Sequence, residues 1–446
     1  MTLRVNRYHL GSLSADERRV LMQRVRADYS SVEADVRAIV ADVRRRGDAG
    51  LLEQTARLDG VTLSPAELRV SEAEFAAAEA AVSPAVREAL ATAIANIRHH
   101  HEAQLPQASW MQEVRPGVLV GERWTPITSV GLYVPRGKGS FPSVMTMLCT
   151  PAVIAGVPEV AVGTPPGPDG SVDAASLVAA ALCGVRTIYK MGGAQAIAAF
   201  AYGTETVRRV EKIVGPGNEY VSTAKRLVYG DVDPGLPAGP SESVVLCDGA
   251  ADPEIAAREL LVEAEHGSNS AALLVTHSVA LADAVEKLLP DLVDALPEQR
   301  REFCTAVLSG YGGIVLTADL ASSVRFVNDY APEHLRVLVT NPFELLPKLT
   351  NAGEVLLGEN TSIPFGNFAV GVNAILPTGG TARSQSCVGT IDFLKRSSFA
   401  YVSDEGVAAV GPTAVTLATY EGFPAHAAAA QFVVDRAAAR TRATEG

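Results

Sequence analysis

The first strong pattern in the chain is a stripe of apolar residues at helical spacing. Between Ser30 and Gly47 these residues recur every three or four positions, at Val32, Val36, Ile39, Val40 and Val43. Residues at this spacing share one face of an α-helix, so the pattern predicts an amphipathic helix. The stretch from Ser71 to His101 is rich in alanine and glutamate, which favours a second, longer helix.

Short apolar runs then alternate with helical segments. After a short hairpin expected around Trp110 to Pro126, strands are predicted at Val130 to Val134, Glu159 to Val162 and Thr187 to Lys190, with helices at Ser143 to Ala155 and Ala174 to Cys183. The rhythm restarts with strands at Ser243 to Cys247, Ala272 to Thr276 and Gly313 to Thr317, and a helix at Pro253 to Glu265. Strands separated by helices indicate parallel sheets built from βαβ units.

Two segments stand outside this alternation. Three prolines and two glycines lie between Asp231 and Pro240; such a run breaks regular structure and is a candidate crossover between two domains. The stretch from Ser398 to Gly446 is alanine-rich and predicted to be helical. It is too small for a core of its own, so we expect it to pack on the main body or on a partner subunit.

The composition is that of a large globular enzyme. With 446 residues, of which 48% are hydrophobic, the chain can bury a large core and should form two or more domains. The net charge of −12 has the wrong sign for binding a nucleic acid. No apolar run approaches the roughly 18 residues that a spanning helix needs, and the N-terminus lacks a signal-peptide core, so we expect a cytoplasmic protein with no membrane partner.

Glycines accompany the ends of several predicted strands. The segments are Gly131 to Pro135, Gly192 to Gln195 and Gly215 to Asn218. Glycine at a strand-to-helix turn lets backbone N–H groups approach a phosphate, which is a common way of holding a dinucleotide. None of the three is a GxGxxG fingerprint, and each by itself is typical of a tight turn. Three of them at strand C-termini of one sheet favour a ligand crevice.

Acidic residues and histidines recur together later in the chain. Glu263 and His266 are three residues apart on a predicted helix, so both point to one face and could share a ligand. Glu333 and His334 are adjacent in a predicted loop, where a carboxylate could activate water and an imidazole could take a proton. Either pair alone is more typical of a solvated surface than of a site.

The joint occurrence of these motifs carries more information. In order they are Gly131-Leu132-Tyr133-Val134-Pro135, Gly192-Gly193-Ala194-Gln195-Ala196, Lys212-Ile213-Val214-Gly215-Pro216-Gly217-Asn218, Ala238-Gly239-Pro240-Ser241-Glu242, Glu263-Ala264-Glu265-His266-Gly267, Ala331-Pro332-Glu333-His334-Leu335, Leu376-Pro377-Thr378-Gly379 and Glu421-Gly422-Phe423-Pro424-Ala425-His426. In order and spacing the chain resembles the histidinol dehydrogenases from about residue 30 to about residue 430. Those enzymes depend on zinc and NAD and oxidise a primary alcohol through an aldehyde to a carboxylate.

The resemblance implies an α/β fold in an intertwined homodimer. It consists of two Rossmann-like domains of incomplete type, one inserted in the other, with small helical terminal extensions. The expected divisions are an N-terminal extension (1–29), a split domain with the metal and catalytic residues (30–130 and 240–388), an inserted NAD-binding domain (131–239) and a C-terminal helical extension (389–446).

The resemblance also implies residue roles. NAD contacts match Tyr133, Gln195 and Asn218. Substrate contacts match Ser241, His334, Glu421 and the zinc ligands, and Glu421 would come from the other subunit. His334 would act as general base on the alcohol, and Glu333 would activate water to hydrate the aldehyde before a second hydride transfer to NAD. Zinc would mainly orient the substrate.

Several positions depart from the family pattern. The family's zinc ligands are glutamine, histidine, aspartate and histidine; the corresponding positions here are Glu263, His266, Asn367 and His426. Carboxylate and amide have exchanged places. Because the charge of the ligand set stays at −1, we expect the metal site to persist with altered geometry.

Two further departures concern the substrate. Ala374 stands where histidinol-specific members usually carry a histidine, and losing that partner should weaken recognition of a buried polar group by roughly 1–3 kcal/mol. Arg136-Gly137-Lys138 adds two cations near the expected cofactor crevice, which would suit an anionic substrate or the pyrophosphate.

The sequence therefore supports histidinol-type chemistry with an open substrate. The first hypothesis is oxidation of L-histidinol, and the alternative is a paralogue that oxidises a different small polyol or amino alcohol. A non-catalytic metal- or nucleotide-binding paralogue fits less well, because Glu333 and His334 are both present. A cysteine-dependent aldehyde dehydrogenase would lose activity on thiol alkylation, but the five cysteines are scattered without a CxxC pair and read as reduced packing residues.

Overall fold

A computed structural model describes residues 3–24, 30–136, 139–236 and 239–445 of the chain. The chain divides into two compact units. The main unit comprises Met1–Gln104 and Ile127–Phe393, and the small unit comprises Leu105–Pro126 and Leu394–Gly446.

The strands of the described residues are β1 (Arg7–His9), β2 (Ser109–Arg115), β3 (Val118–Pro126), β4 (Ser129–Tyr133), β5 (Glu159–Thr164), β6 (Ile188–Lys190), β7 (Lys212–Val214), β8 (Glu242–Cys247), β9 (Ala271–Thr276), β10 (Gly313–Leu316), β11 (His334–Leu338), β12 (Glu354–Leu357) and β13 (Leu394–Val402). The α-helices are α1 (Ala15–Gln23), α2 (Ser30–Arg46), α3 (Asp48–Leu58), α4 (Glu72–Ala81), α5 (Pro84–Glu102), α6 (Pro142–Ile154), α7 (Ala174–Cys183), α8 (Gly193–Tyr202), α9 (Glu219–Leu227), α10 (Pro253–Val262), α11 (Val279–Asp294), α12 (Glu298–Ser309), α13 (Leu320–Tyr330), α14 (Pro342–Leu345), α15 (Ile363–Phe368), α16 (Asp404–Tyr420) and α17 (Pro424–Glu445).

The main unit contains two parallel sheets. The smaller has the strand order β6-β5-β4-β7, and the larger has the order β1-β10-β9-β8-β11-β12. Every pair of neighbouring strands in both sheets is parallel. The predicted α/β class with two βαβ series is confirmed.

Both faces of the six-stranded sheet are covered by helices, as a parallel sheet requires. Val245 and Leu274 belong to a core that includes apolar residues of α10, α11 and α12. Their neighbours Val244 and Leu273 point to the opposite face and share a core with α13. This covering leaves the two edges formed by the strand ends as the places where the sheet can meet a ligand.

The helices before β4 belong with the four-stranded sheet. The predicted apolar stripe of α2 is buried, and it shares a core with α8 and α9. Helix α5 contacts α6 and α7. The expected domain that joins 30–130 with 240–388 stays a prediction. Helices α2 and α5, which lie within 30–130, pack against helices of the four-stranded sheet. The longer helix expected from Ser71 to His101 is wrong: it is two helices, because Ser83 caps α5 and Pro84 begins it.

The N-terminal residues were expected to form an extension. That division stays a prediction; within it, β1 pairs with β10 at the edge of the six-stranded sheet, with Tyr8 opposite Val315. Helix α1 follows, and its Leu21 lies in the same core as α13. The part of this region that the structure describes is therefore integrated into the larger sheet.

The small unit contains a three-stranded antiparallel sheet in the order β13-β3-β2, followed by α16 and α17, which pack against each other. The predicted hairpin is confirmed as β2 and β3. The prediction that the chain is helical from Ser398 is wrong, because β13 runs to Val402 and pairs with β3 along its whole length. Across the described parts of both units, no helix is long and apolar enough to cross a membrane.

Candidate functional site

The predicted site residues lie at the carboxyl ends of the strands in one sheet and at the amino ends of the strands in the other. In the four-stranded sheet, Tyr133 ends β4, and the segments with Gln195 and Asn218 follow β6 and β7, at the carboxyl ends of the strands. In the six-stranded sheet, His334 begins β11 and Glu354 begins β12, at the amino ends. Polar side chains gather at both edges.

His334 is the centre of the cluster at the amino edge. It is buried, and its Nδ1 lies 2.8 Å from Oε2 of Glu354, its direct partner in the register of β11 and β12. Its Nε2 lies 3.7 Å from Oε1 of Glu263 and 3.9 Å from Oε1 of Glu333. Because Nδ1 is held by Glu354, Nε2 is the ring atom that can exchange a proton with a ligand.

Three buried carboxylates control the charge of this imidazole. Burial by itself lowers the pKa of His334, but Glu263, the hydrogen bond to Glu354 and the charge of Glu333 together raise it to about 10. The largest of the raising contributions comes from Glu263. A cation bound at Glu263 would offset that negative charge and lower the pKa of His334.

Glu333 is placed by a backbone donor. Its Oε2 accepts a hydrogen bond of 2.7 Å from the backbone N–H of Glu242, the first residue of β8. Burial, followed by the negative charge of Glu263, raises the pKa of Glu333 well above its usual range, although His334 opposes this shift. A carboxyl group with a raised pKa beside an imidazole is a stronger base than an ordinary carboxylate.

Glu263 and His266 meet, but not on one helix as expected. Helix α10 ends at Val262, Glu263 is its C-cap, and a 3-10 turn carries the chain from Ala264 to His266. Nε2 of His266 lies 3.5 Å from Oε2 of Glu263. The spacing of three residues still brings the two side chains together because the 3-10 turn repeats every three residues.

Asn367 joins this pair from α15. Its Nδ2 donates to Oε1 of Glu263 at 3.3 Å, and its buried Oδ1 has no hydrogen-bond partner. Gly366, the neighbour of Asn367, lets α15 lie close to Glu354, because a Cβ at that position would overlap Oε1 of Glu354. Zinc binds imidazole nitrogen and carboxylate oxygen, and the unpartnered amide oxygen of Asn367 is a further oxygen donor on a neighbouring side chain. The residues present therefore fit part of a zinc site.

Within the described ranges, no three His, Cys, Asp or Glu side chains form a group that could hold a metal by themselves. The expected set depends on the amide of Asn367 and on His426. Glu421 and His426 lie in the small unit, at the C-cap of α16 and in the first turn of α17, where both are exposed. Their roles as substrate contact and metal ligand stay predictions.

A cavity of about 330 Å³ joins the two edges within the main unit. Asn218 lines it from the carboxyl edge of the four-stranded sheet, and Ser241 and His266 line it from the amino edge of the six-stranded sheet. It therefore brings together one residue from each predicted group: cofactor, substrate and metal.

The glycine turns at the carboxyl edge are largely occupied by their own chain. The N–H of Gly193 donates to the hydroxyl of Tyr133 at 3.0 Å. The N–H of Gly192 donates to Asp59, whose pKa is raised by burial to about 6 although this bond and the one from Gln195 lower it. The expectation that this turn offers free N–H groups to a phosphate does not hold for these two residues.

Gln195 has one amide atom bonded and one without a hydrogen-bond partner. Its Nε2 donates to Oδ2 of Asp59 at 3.0 Å, and its buried Oε1 has no hydrogen-bond partner. Asn218 caps α9 by accepting from the N–H of Val221. An unpartnered amide oxygen and an exposed asparagine fit a ligand that offers polar groups, such as a dinucleotide.

The other departures from the family pattern have simple surroundings. Ala374 is half-buried, and its N–H points at the sulfur of Met147 at 3.4 Å. Hydrogen bonds from Ser171 lower the pKa of Asp169, and the charge of Arg136, which lies beside Gly167 and Asp169, adds a smaller effect in the same direction. Gly137 and Lys138 lie outside the described residues.

Comparisons with known proteins identify the family of the chain. A family model described as histidinol dehydrogenase matches residues 22–433. The chain is 50% identical over 420 residues to the histidinol dehydrogenase of Synechocystis sp., covering 94% of this chain and 97% of that protein. It is 51% identical over 427 residues to the histidinol dehydrogenase homolog of Cereibacter sphaeroides, covering 95% and 97%. The crystal structure of histidinol dehydrogenase from Elizabethkingia anophelis superimposes with a TM-score of 0.92 at 32% identity, covering 98% of this chain and 99% of that one.

Proposed function

Because the chain belongs to the histidinol dehydrogenase family of oxidoreductases, we propose that it is a zinc-dependent, NAD-linked dehydrogenase of a small primary alcohol. The observation that carries the proposal is the meeting of Glu263, Glu333 and His334 in one buried cluster. These side chains come from two segments about seventy residues apart and surround a single imidazole. A purely structural cluster has no need to bury these two carboxylates, together with Glu354, around one base.

The residues that would hold zinc are Glu263, His266, Asn367 and His426. When bound, zinc would polarise and orient the hydroxyl oxygen of the substrate. The ion would also offset the charge of Glu263, so His334 would be neutral over more of the working pH range. His334 could then accept the hydroxyl proton at Nε2 while Glu354 holds Nδ1 and fixes the ring.

The first oxidation would remove a proton to His334 and a hydride from the carbinol carbon. When bound, NAD would accept that hydride. Tyr133, Gln195 and Asn218 would contact the cofactor from the carboxyl edge of the four-stranded sheet. Ser241 would contact the substrate across the shared cavity.

The second oxidation needs water. Glu333 would take a proton from a water molecule that adds to the aldehyde, and the hydrate would lose a second hydride. The balance is one alcohol, one water and two NAD⁺ giving one carboxylate, two NADH and three protons. The backbone N–H of Glu242 would keep the Glu333 carboxyl in place during this step.

There are two candidates for the substrate. L-histidinol is the first candidate because the relatives include proteins named histidinol dehydrogenase. A different small polyol or amino alcohol is the second, because several relatives are named only as homologs. The exchange of carboxylate and amide at Glu263 and Asn367 also favours the second. A non-catalytic paralogue would not need the buried Glu333 and His334 pair.

The test is NADH formation by zinc-loaded protein with L-histidinol and with a panel of small polyols and amino alcohols. The Glu333→Gln, His334→Ala double variant serves as the blank. Alcohol-dependent NADH that the blank lacks would support the proposal, and the best alcohol would identify the substrate. If neither histidinol nor the panel gives NADH above the blank, the dehydrogenase assignment is wrong.

The small unit supports a homodimer. It exposes large apolar side chains, among them Tyr401, Tyr420 and Phe432, which are 62%, 89% and 65% exposed in the single chain. Exposed aromatic residues on a small unit are typical of a surface that a partner covers. A second copy would bury them and would supply Glu421 to the site of the first.

Subunit mixing tests this arrangement. Glu333→Gln and Glu421→Gln subunits should each be nearly inactive alone. After unfolding and refolding together, a mixed dimer has one intact site only if Glu421 acts on the neighbouring subunit. Recovery of activity would support the shared site, and its absence in verified mixed dimers would exclude it.

A further inference from the structure

Backbone strain marks a contact beside Glu333. Among the described residues, the non-glycine positions with positive φ are Arg24 and Ala331, at 53° and 51°. With a ψ of −176°, Arg24 lies close to a region that is almost exclusive to glycine. The two residues are 307 positions apart, yet Nη2 of Arg24 donates to the carbonyl of Ala331 at 3.4 Å. Such strain persists only where the surroundings fix the backbone.

The side chain of Arg24 provides that fixation. It is 3% exposed, and its Nη1 lies 2.6 Å from Oε2 of Glu242, which is 4% exposed. The guanidinium also lies 3.7 Å from the centre of the Tyr330 ring. A buried, charge-assisted hydrogen bond together with a cation–π contact holds the end of α1 against the end of α13.

Glu242 passes this constraint on to the proposed catalytic carboxyl. One carboxylate oxygen of Glu242 is held by Arg24, and the other accepts from the N–H of Gly379 at 2.9 Å. With both oxygens held, the backbone of Glu242 is fixed at the start of β8. Its N–H is the donor that places Oε2 of Glu333.

We propose that Arg24 is a positioning residue for Glu333. It acts through Glu242 on one side and through the Ala331 carbonyl, two residues before Glu333, on the other. His334 depends on a different partner, Glu354. This inference rests on the proposed function, in which Glu333 serves the hydration step and His334 serves the alcohol step. Loss of Arg24 should therefore impair aldehyde hydration more than alcohol oxidation.

The experiment compares Arg24→Met and Arg24→Lys with Arg18→Met. Arg18 also ties α1 to α13, through an exposed ion pair with Asp329 at 3.0 Å, and lies away from the cluster. Two quantities are measured with the best alcohol: NADH formed per molecule of limiting alcohol, and aldehyde trapped by a hydrazine. Hydrogen–deuterium exchange of the Glu242 amide is measured on the same proteins, and this readout does not depend on turnover.

For Arg24→Met we expect NADH per alcohol to fall from two towards one, with trapped aldehyde appearing and faster exchange at Glu242. Arg24→Lys keeps a positive charge beside Glu242, so its NADH yield and its exchange rate should lie between those of Arg24→Met and the wild type. This variant replaces Arg24→Met in the test if Arg24→Met does not fold. Arg18→Met should match the wild type. Equal loss of both steps, or unchanged exchange at Glu242, would overturn the proposal. If the wild type turns over no alcohol, the proposed function fails and the exchange result alone decides the positioning.

Discussion

The two edges that meet at the shared cavity are built in different ways. At the carboxyl edge of the four-stranded sheet, Tyr133, Gln195 and Asn218 are held mainly by bonds to backbone N–H groups and to one half-buried carboxylate. At the amino edge of the six-stranded sheet, buried charged side chains surround His334. In the proposed function, the first edge would receive polar groups of the cofactor, and the second would transfer protons.

The difference has a physical cost that falls mainly on the amino edge. Most hydrogen bonds at the carboxyl edge are neutral and replace bonds to water at little cost; Asp59 is the carboxylate among them that loses hydration. Buried carboxylates at the amino edge lose hydration, and neighbours of opposite charge repay this only in part. A protein keeps such a cluster where the chemistry uses it. We therefore expect substitutions at the amino edge to have the larger effects.

The largest effect is expected for His334. His334→Ala removes the proposed base at the amino edge and should lower kcat for alcohol oxidation by about 1,000-fold, within the usual range for loss of acid–base catalysis. Zinc content should not change, because His334 is not a proposed ligand. Steady-state NADH formation measures the loss, with His9→Ala, an exposed histidine, as control. A loss below tenfold would remove His334 from the mechanism.

A large effect on stability is expected for Arg336, two residues after His334 on β11. Its side chain is fully buried, 3.6 Å from Glu259, and it donates to the carbonyl of Glu359 at 2.7 Å. Arg336→Met leaves a buried carboxylate unpaired and should lower the free energy of unfolding by ~3–5 kcal/mol.

Denaturant unfolding measures this loss. Arg258→Met is the matched control, because Arg258 pairs with Glu254 on the surface of the helix that carries Glu259, and its loss should cost less than ~0.5 kcal/mol. Similar losses of unfolding free energy in both variants would show that the buried ion pair stabilises the protein no more than the exposed one.

The exchanged ligands give the next prediction. Glu263→Gln removes the carboxylate and should weaken zinc binding by at least the ~10–100-fold that changes around metal ligands cause. Adding Asn367→Asp restores the charge and should recover most of that affinity. Competition with a chromophoric chelator measures both values. Zinc affinity that is unchanged in Glu263→Gln would remove Glu263 from the ligand set.

The smallest effect is expected at the carboxyl edge, from Asp59. Burial raises its pKa from 3.8 to about 6 in the folded protein. The folded state therefore holds this proton more tightly than the unfolded state. The resulting stability is complete below 3.8 and is lost as the pH rises through about 6.

The variant Asp59→Asn should lack this pH dependence. The wild type should lose about 1 kcal/mol relative to Asp59→Asn between about pH 4 and pH 7, a figure reduced for the partial exposure of the group. Urea unfolding at both values measures the difference, with Asp16→Asn as an exposed control. A wild type that gains stability relative to Asp59→Asn as the pH rises would show that the sign is wrong.

The regular elements could be predicted from local sequence because their causes are local. The α2 stripe and the alternation of strands and helices follow from apolar spacing alone. The break at Pro84 was visible in the sequence but was outweighed by the alanine-rich flanks. Strand β13 was missed because an alanine-rich tail favours helix, whereas pairing with β3, far away in the chain, decides its structure.

The candidate site could be predicted only in part, for the same reason. Its motifs were found through their resemblance to a family, since no local rule places Glu333 beside Glu263. Partners outside those motifs were missed. Glu354, Asp59 and Arg24 contact residues 20, 136 and 218 positions away, and nothing in their local sequence marks them. Glu242 belongs to the motif Ala238-Gly239-Pro240-Ser241-Glu242, but it contacts Glu333 through its backbone N–H, which has no sequence signature.

The division of labour between the two edges can be measured directly as the NAD dissociation constant of two variants. Asn218→Ser keeps a side chain that can cap α9 but loses the amide, and it should weaken NAD binding about tenfold, as expected for one lost hydrogen bond. Glu333→Gln should bind NAD within about twofold of the wild type while losing turnover. If Glu333→Gln weakened NAD binding as much as Asn218→Ser, or if Asn218→Ser bound NAD normally, the separation of cofactor and proton chemistry between the two edges would be contradicted.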